Sequence, residues 1–367
     1  MNPSPTPNIL FFTWHDAGDW FGCYGYDTVS TPNVDRLAAG GVRFARNFSA
    51  CAICSPSRAA MVTGRHPQRT GLMRLANTPF DNRIHPHLTH TAKRAKNMGY
   101  RTALFGVQHE AAHAHVDEIM GFDECVATDP WPNADLTAPH AAEWLRGRAE
   151  DPQPFYLQVG TYEAHLNRFY RNRPARADEP YPPVHDDERG CHIPSYLVDN
   201  EAGRATVATL QGLLRRGDRL LGTLLDTLEE TGQSANTLVV LCVDHGVGLP
   251  RAKTTCYDPG LKTGWLLRWP GRLPEGHVVE AMTSHVDVLP TLAELLDWSI
   301  DEPLDGHSFA RHARGEASEP LRNATFAHMT ESTRCIRTEH YKLIRNFSPR
   351  GDPTLKGDCA LLHHGYP

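Results

Sequence analysis

Five short runs of nearly unbroken apolar, β-rich residues constrain this chain more than anything else in it: Asn8–Trp14, Arg101–Gly106, Phe155–Gly160, Thr237–Val243 and Gly264–Trp269. A strand with one wet face alternates apolar and polar residues, whereas a strand covered on both faces does not need to. Between the runs lie stretches with helical spacing and helical stop signals: Pro32–Ala39 behind Thr31, Leu88–Met98 before Gly99, Ala202–Thr231 before Gly232, and Val286–Trp298. Strands alternating with helices predict an α/β fold, with a central sheet sandwiched by helices. The Pro-, Arg- and acid-rich stretch Asn167–Tyr196 reads as a long surface excursion. Beyond about Asp301 the pattern changes, and Thr325–Thr330 and Arg334–Asn346 read as a pair of antiparallel strands. The expected division is a large domain over residues 1–310 and a small C-terminal antiparallel sheet subdomain over 311–367.

Composition excludes several function classes. With 40% hydrophobic and 22% charged residues over 367 positions, the chain has the make-up of a globular protein with a substantial core. Its net charge of −6 gives no polyanion-binding face, so nucleic acid is not an expected partner. No apolar run approaches the ~18–20 residues of a membrane span. The opening MNPSPTPNILFFTW lacks a basic segment and a cleavage site, so no signal peptide and a cytoplasmic location are expected. Nine cysteines without regular spacing read as reduced thiols rather than a disulfide framework.

Four of the apolar runs end in residues able to bind metals or move protons: the first in His15-Asp16, the second in Val107-Gln108-His109, the third in Thr161-Tyr162-Glu163-Ala164-His165, the fourth in Asp244-His245-Gly246. Loops are polar in any protein, and one such cluster means little. Four together point to a site, because open α/β sheets bind ligands outside the carboxyl ends of their strands. The sharpest local signal is Cys54-Ser55-Pro56-Ser57-Arg58, running on to Thr63-Gly64. Pro56 fits a first helical turn and Gly64 a C-terminal cap, which puts Cys54 at or just before a helix N-terminus where negative charge is favoured. Arg58, four residues on, rises along the same face. Read from the residues alone, Cys54 is either a reactive thiolate in an anion pocket or a small buried residue.

Cys54-Ser55-Pro56-Ser57-Arg58 resembles the Cys-x-Pro-x-Arg signature of type I sulfatases, and Ala59-x-x-x-Thr63-Gly64 follows it as in that family. The companions stand in the family's order: the strand into His15-Asp16, then Thr31-Pro32-Asn33-Val34-Asp35-Arg36-Leu37, Gly106-x-x-His109, His165, and Asp244-His245-Gly246 with Lys253 before Tyr257-Asp258-x-Gly260. The similarity runs from Asn8 to about Ile344 and looks closest to the sulfamidase-like, heparan N-sulfatase-like branch. It implies the alkaline phosphatase-like form of the α/β fold, with a mostly parallel sheet, and hydrolysis of a small sulfated substrate, a sugar, aryl or amine sulfate. It further implies that Cys54 is converted by a maturation enzyme to formylglycine, whose hydrate attacks sulfur.

By the same resemblance, one divalent metal, Ca²⁺ with Mn²⁺ or Zn²⁺ as alternatives, would be held by Asp16, Asp244, His245 and an oxygen of modified Cys54, with His15 as a fifth candidate. His15 stands where the family usually has aspartate. His245 stands where many members have asparagine and related phosphonate hydrolases have histidine, and nitrogen donors turn the site away from Ca²⁺. Arg58 would steady the modified residue, and Lys253 would grip a sulfate oxygen. His109 would take the proton that releases sulfate, and His165 would protonate the leaving group. The family's usual lysine two places before His109 is Val107 here, a loss worth ~2–4 kcal/mol of transition-state stabilisation if nothing replaces it. Two other readings stay open: a phosphonate monoester or phosphodiester hydrolase of the same superfamily, which His245 favours, and a non-catalytic metal-binding homologue, which Val107 favours. Cys51, His113 and His115 read as structural or surface residues, and His85, His87 and His90 as a solvent-facing or rim patch without acidic companions. Glu163 and Asn167 flank His165 as supporting candidates, and Arg251 and Lys262 compete with Lys253.

Overall fold

The computed structural model describes residues 6–76, 82–112, 115–126, 133–166 and 184–347. Nine strands form one sheet: β1 (Asn8–Trp14), β2 (Val42–Phe48), β3 (Arg101–Gly106), β4 (Glu124–Val126), β5 (Phe155–Gly160), β6 (Thr237–Val243), β7 (Lys262–Thr263), β8 (Trp265–Arg268) and β9 (His277–Ser284). Their order is β4-β3-β5-β1-β6-β8-β2-β7, with β9 paired to β2. The run from β4 to β6 is parallel throughout.

The unbroken hydrophobicity of the central strands has a direct cause. Alternate residues of β1 point to opposite faces, and both faces are covered. Leu10, Phe12 and Trp14 join Leu213, Leu221 and Leu224 of the helix Glu201–Glu230. Ile9 and Phe11 join Ala92, Val288 and Leu292 on the other side. Four of the five apolar runs are strands with the expected bounds. The fifth run, Gly264–Trp269, holds the shorter strand β8, which lies antiparallel between β6 and β2.

Four strands of the large sheet escaped the sequence reading. β2 and β9 carry Arg43, Arg46, His277 and Glu280 at partly or fully exposed positions, which breaks the apolar pattern, and β4 and β7 are three and two residues long. The stretch Arg334–Asn346 is a hairpin rather than one strand. β10 (Thr325–Met329), β11 (Thr333–Arg337) and β12 (Lys342–Asn346) form a separate antiparallel sheet, and Thr338 bonds to Tyr341 across the turn. This small sheet docks just ahead of Cys54: His328 N–H donates to Ala50 O at 3.1 Å, and Ala52 N–H donates to His328 O at 3.3 Å. Among the described residues no helix is long and apolar enough to cross a membrane, and every cysteine is free.

Two glycines bring the carboxyl ends of β3 and β5 together. A Cβ on Gly106 would lie 2.0 Å from Gly160 O, and one on Gly160 would lie 1.9 Å from Val107 O. Both obstacles are backbone, so neither can swing aside. Gly160→Ala should therefore push the two strand ends apart and destabilise the protein by about 1–3 kcal/mol in a thermal or urea melt. Gly147→Ala, whose Cβ would meet nothing nearer than 3.5 Å, should stay within about 0.5 kcal/mol of the parent.

Candidate active site

The sheet order β3-β5-β1-β6 sets four parallel strand ends side by side. His109, His165, the pair His15-Asp16 and the pair Asp244-His245 thus arrive at one edge. The backbone knits the ends of β5, β1 and β6 together: Asp244 N–H donates to Trp14 O at 3.0 Å, and Ala164 N–H donates to His15 O at 2.7 Å. Asp16 and His109 hold left-handed φ values of 52° and 54°, a conformation that turns the chain sharply off the strand.

Cys54 comes from elsewhere. It opens the helix Cys54–Thr63 behind Ile53, which offers no side-chain cap, so the first N–H groups lack intrahelical partners. Gly64 closes the helix at φ 65°. Arg58, one turn up and fully buried, donates from Nε to Asp244 Oδ2 at 3.1 Å and from Nη1 to Thr13 Oγ1 at 3.2 Å and Gln108 O at 3.3 Å. Ser57, on the same helix, donates to Asp244 O at 2.5 Å and bonds His285 Nδ1 at 2.8 Å. Sequence reasoning missed Ser57 and His285 because each is unremarkable in its own segment; only the fold makes them neighbours.

His15, Asp16, Cys54, Asp244 and His245 are all buried, and their ligand atoms lie within 4.8 Å of one another. His15 Nδ1 is 2.7 Å from Asp16 Oδ1 and 3.3 Å from Asp244 Oδ2, and its Nε2 has no hydrogen-bond partner among the described residues. His245 Nδ1 lies 2.8 Å from Gly246 O, which assigns its proton to that nitrogen and leaves a lone pair on Nε2. That lone pair is 3.2 Å from Asp16 Oδ1 and 3.3 Å from Cys54 Sγ. The Nε2 lone pair and Asp16 Oδ1 are both acceptors, and a positive centre between them would relieve their repulsion. Two carboxylates and two imidazoles around one point fit a divalent cation.

Charges around this point are strongly coupled. Burial opposes ionisation of Asp16, yet Lys253, with Nζ 2.7 and 2.9 Å from its oxygens, holds the carboxyl well below the usual carboxylate range, with help from His165, His15 and His245. Asp244 is likewise held low against burial by His245, His15 and Arg58. Burial drives His109 and His165 well below the ordinary histidine value; His15 and Arg58 reinforce this at His109, and Lys253 at His165. His245 is lowered chiefly by burial. Burial pushes the Cys54 thiol well above its ordinary value, Lys253 resists, and Asp244 and Asp16 push further. The three rings His15, His109 and His165 meet edge to face, the last two centred 5.1 and 5.0 Å from His15. His109 is partly exposed, whereas His165 is buried.

The remaining candidates separate. Arg251 lies over the Tyr257 ring at 5.2 Å and Lys262 pairs with Asp19 at 2.6 Å, so Lys253 is the cation at Asp16. Cys51 is buried in an apolar cluster. Glu163 is buried and accepts the Ala134 N–H at 3.0 Å, a tie to the start of the helix Ala134–Arg146. His85 and His87 are exposed and His115 is partly exposed. His90 is a correction: it is fully buried, and it has an acidic companion in Glu110 at 2.8 Å. It also caps the helix Thr91–Asn97, accepting the Ala92 N–H, so that helix starts later than expected. His113 and Asn167 lie outside the described residues.

Comparison with known proteins agrees with this geometry. An ulvan-active sulfatase of Formosa agariphila is 28% identical over 94% of this chain and 67% of its own length. A second ulvan-active sulfatase of that organism is 25% identical over 94% of this chain and 61% of its own length. The chain therefore spans roughly two thirds of those relatives. Among solved structures, the phosphonate monoester hydrolase of Agrobacterium radiobacter shares the fold, with a TM-score of 0.74 and 21% identity over 93% of this chain and 87% of that one. The model for N-sulphoglucosamine sulphohydrolase, C-terminal, matches residues 251–352. The sulfatase model matches residues 7–298, a span that holds every strand of the large sheet and every residue of the buried cluster, and the chain belongs to the sulfatase family of sulfuric ester hydrolases.

Proposed function

We propose that this chain hydrolyses sulfate esters or sulfamates of a small sulfated substrate, a saccharide first among them, through a formylglycine made from Cys54 beside a divalent cation. The observation that carries this reading is the setting of Cys54. Its thiol is buried among carboxylates and pushed away from the thiolate form, so as a cysteine it is a poor nucleophile. An oxygen function at the same place, at a helix N-terminus, beside Lys253 and Arg58 and next to a cation held by those carboxylates, would have its negative charge supported. The ulvan-active relatives point to a saccharide as the group that carries the sulfate.

A cation held by His15, Asp16, Asp244, His245 and an oxygen on residue 54 would supply Lewis-acid polarisation and offset the negative charge of the reacting oxygens. The chain's own groups do the rest. Arg58 is locked to Asp244, and its guanidinium steadies the residue-54 side chain. Lys253 presents an ammonium beside Asp16 and grips a sulfate oxygen as a point charge. His109, uncharged and partly exposed, accepts the proton whose removal releases sulfate. His165 is held toward its neutral form by burial and Lys253; the negative charge of a bound sulfate group favours its protonated form, which delivers a proton to the leaving oxygen or nitrogen. The imidazole content of the cluster favours Mn²⁺ or Zn²⁺ over the Ca²⁺ that the family resemblance implies. A phosphonate or phosphodiester hydrolase is the second reading, favoured by His245 at the cation site and by the fold shared with the Agrobacterium enzyme.

Protein made together with a formylglycine-generating enzyme should yield a Cys54 peptide about 18 Da lighter than the cysteine form by intact peptide mass; an unshifted peptide in active protein would refute the mechanism. Cys54→Ser should fold with an unchanged circular dichroism spectrum and lose turnover of 4-nitrophenyl sulfate. Assayed in parallel, the parent should prefer the aryl sulfate, and a preference for an aryl phosphonate would establish the second reading. Chelation should lower the melting temperature, and Mn²⁺ or Zn²⁺ should restore it further than Ca²⁺ at equal concentration, since a ligand at about 100 times its Kd adds ~2.7 kcal/mol.

A further inference from the structure

One buried carboxylate beside the proposed centre has no role in the reaction as drawn above. Glu110 follows His109 directly and is fully buried, and the side chains ranged against its oxygens are donors. His90 accepts the Ala92 N–H at Nδ1 (3.0 Å), so its proton sits on Nε2, which donates to Glu110 Oε2 at 2.8 Å. Gln158 Nε2 donates to the two Glu110 oxygens at 3.1 and 3.3 Å, and Tyr156 fixes that amide by donating to its Oε1 at 3.2 Å. Arg58 Nη1 lies 3.9 Å from Glu110 Oε1. The Glu110 backbone is held as well. Gln108 Oε1 accepts the N–H groups of Glu110 and Ala111, at 2.5 and 2.8 Å, while the Gln108 carbonyl accepts from Arg58. His109 is the residue between these two clamps, at a φ of 54° that a non-glycine residue keeps only where its surroundings impose it.

We propose that Glu110 is a positioning residue, anchored by His90 and Gln158, that fixes the His109 turn and the Arg58 guanidinium in one mutual geometry. This rests on the roles given above to His109 and Arg58. The plainer alternative is that the same hydrogen bonds only fill a buried polar space and contribute stability. The two differ in what they do to Arg58 and to turnover in protein that still folds.

Two variants of the full chain separate them. Glu110→Gln brings an amide donor into a cage of donors. His90→Asn removes the imidazole donor while keeping a side chain that caps a helix well. The first readout is kcat and KM on whichever of 4-nitrophenyl sulfate and an aryl phosphonate the parent turns over. The second needs no activity: hydrogen exchange at Arg58 Nε–H in protein labelled with ¹⁵N-arginine, the signal being identified by its loss in Arg58→Lys. In both variants kcat should fall about tenfold or more with KM within about threefold, since small displacements of reacting groups cost rate rather than binding. The Arg58 Nε–H should exchange about tenfold faster. Folded variants with parental kcat and parental exchange overturn the proposal. So does a fall in kcat that tracks melting temperature while exchange stays unchanged. Should Glu110→Gln fail to fold, His90→Asn carries both readouts. Should the parent turn over neither ester, the hydrolase reading fails by itself, and the exchange rate alone decides the role of Glu110.

Discussion

The site depends on one buried carboxylate. Asp244 Oδ1 accepts the N–H groups of Asp16 and His245, at 2.9 and 2.8 Å, its Oδ2 accepts Arg58 Nε at 3.1 Å, and its main chain bonds Trp14 and Ser57. The end of β1, the end of β6 and the helix Cys54–Thr63 are therefore tied through a single residue. A buried charge is costly unless it is paired and hydrogen-bonded. Here much of the compensation comes from Arg58 and Asp16, 186 and 228 residues away in sequence, and it exists only when all three elements have met. Local geometry and tertiary assembly are the same event.

The large framework was legible because it follows from simple physics. Strands covered on both faces must be apolar throughout, and β1, β3, β5 and β6 declared themselves in that way. Ligand-competent residues at four of their ends then implied convergence, provided the strands were parallel neighbours, as they are. Strand direction is written nowhere in a run such as Gly264–Trp269, which is why β8 came out antiparallel without warning. β2 and β9 were hidden by charged residues on partly exposed positions, and the β11–β12 hairpin by a turn that lacks glycine and proline.

Within the site, residues adjacent to strand ends and the fixed motif positions Cys54 and Arg58 could be named from the sequence, whereas Ser57 and residues recruited from helix starts and turns could not. His285 opens a 3-10 turn one residue before the predicted helix. His90 and Glu110 are separated by a helix and β3, so neither announces the other, and a histidine among His85 and His87 reads as surface. Its burial follows from the capping position: with Nδ1 occupied by the Ala92 N–H, the ring is turned inward and Nε2 must find an acceptor below.

Charge balance explains why the proposed chemistry needs a cation and not merely a positive side chain. Asp16, Asp244 and Glu110 carry three formal negative charges at the buried centre, and Arg58 and Lys253 carry two positive ones. The family's usual extra lysine would have made the sum zero, but position 107 is valine. Three of the surrounding histidines add nothing to the positive side, because burial and the neighbouring cations hold His109, His165 and His245 toward their neutral forms. A sulfate group approaching this centre would meet net repulsion where water no longer screens it well. A divalent cation reverses the sign of that field in one step. On the proposed function the residues that would hold the metal and those that would grip the anion form one electrostatic unit, and Val107 places more of the work on the cation than on side chains.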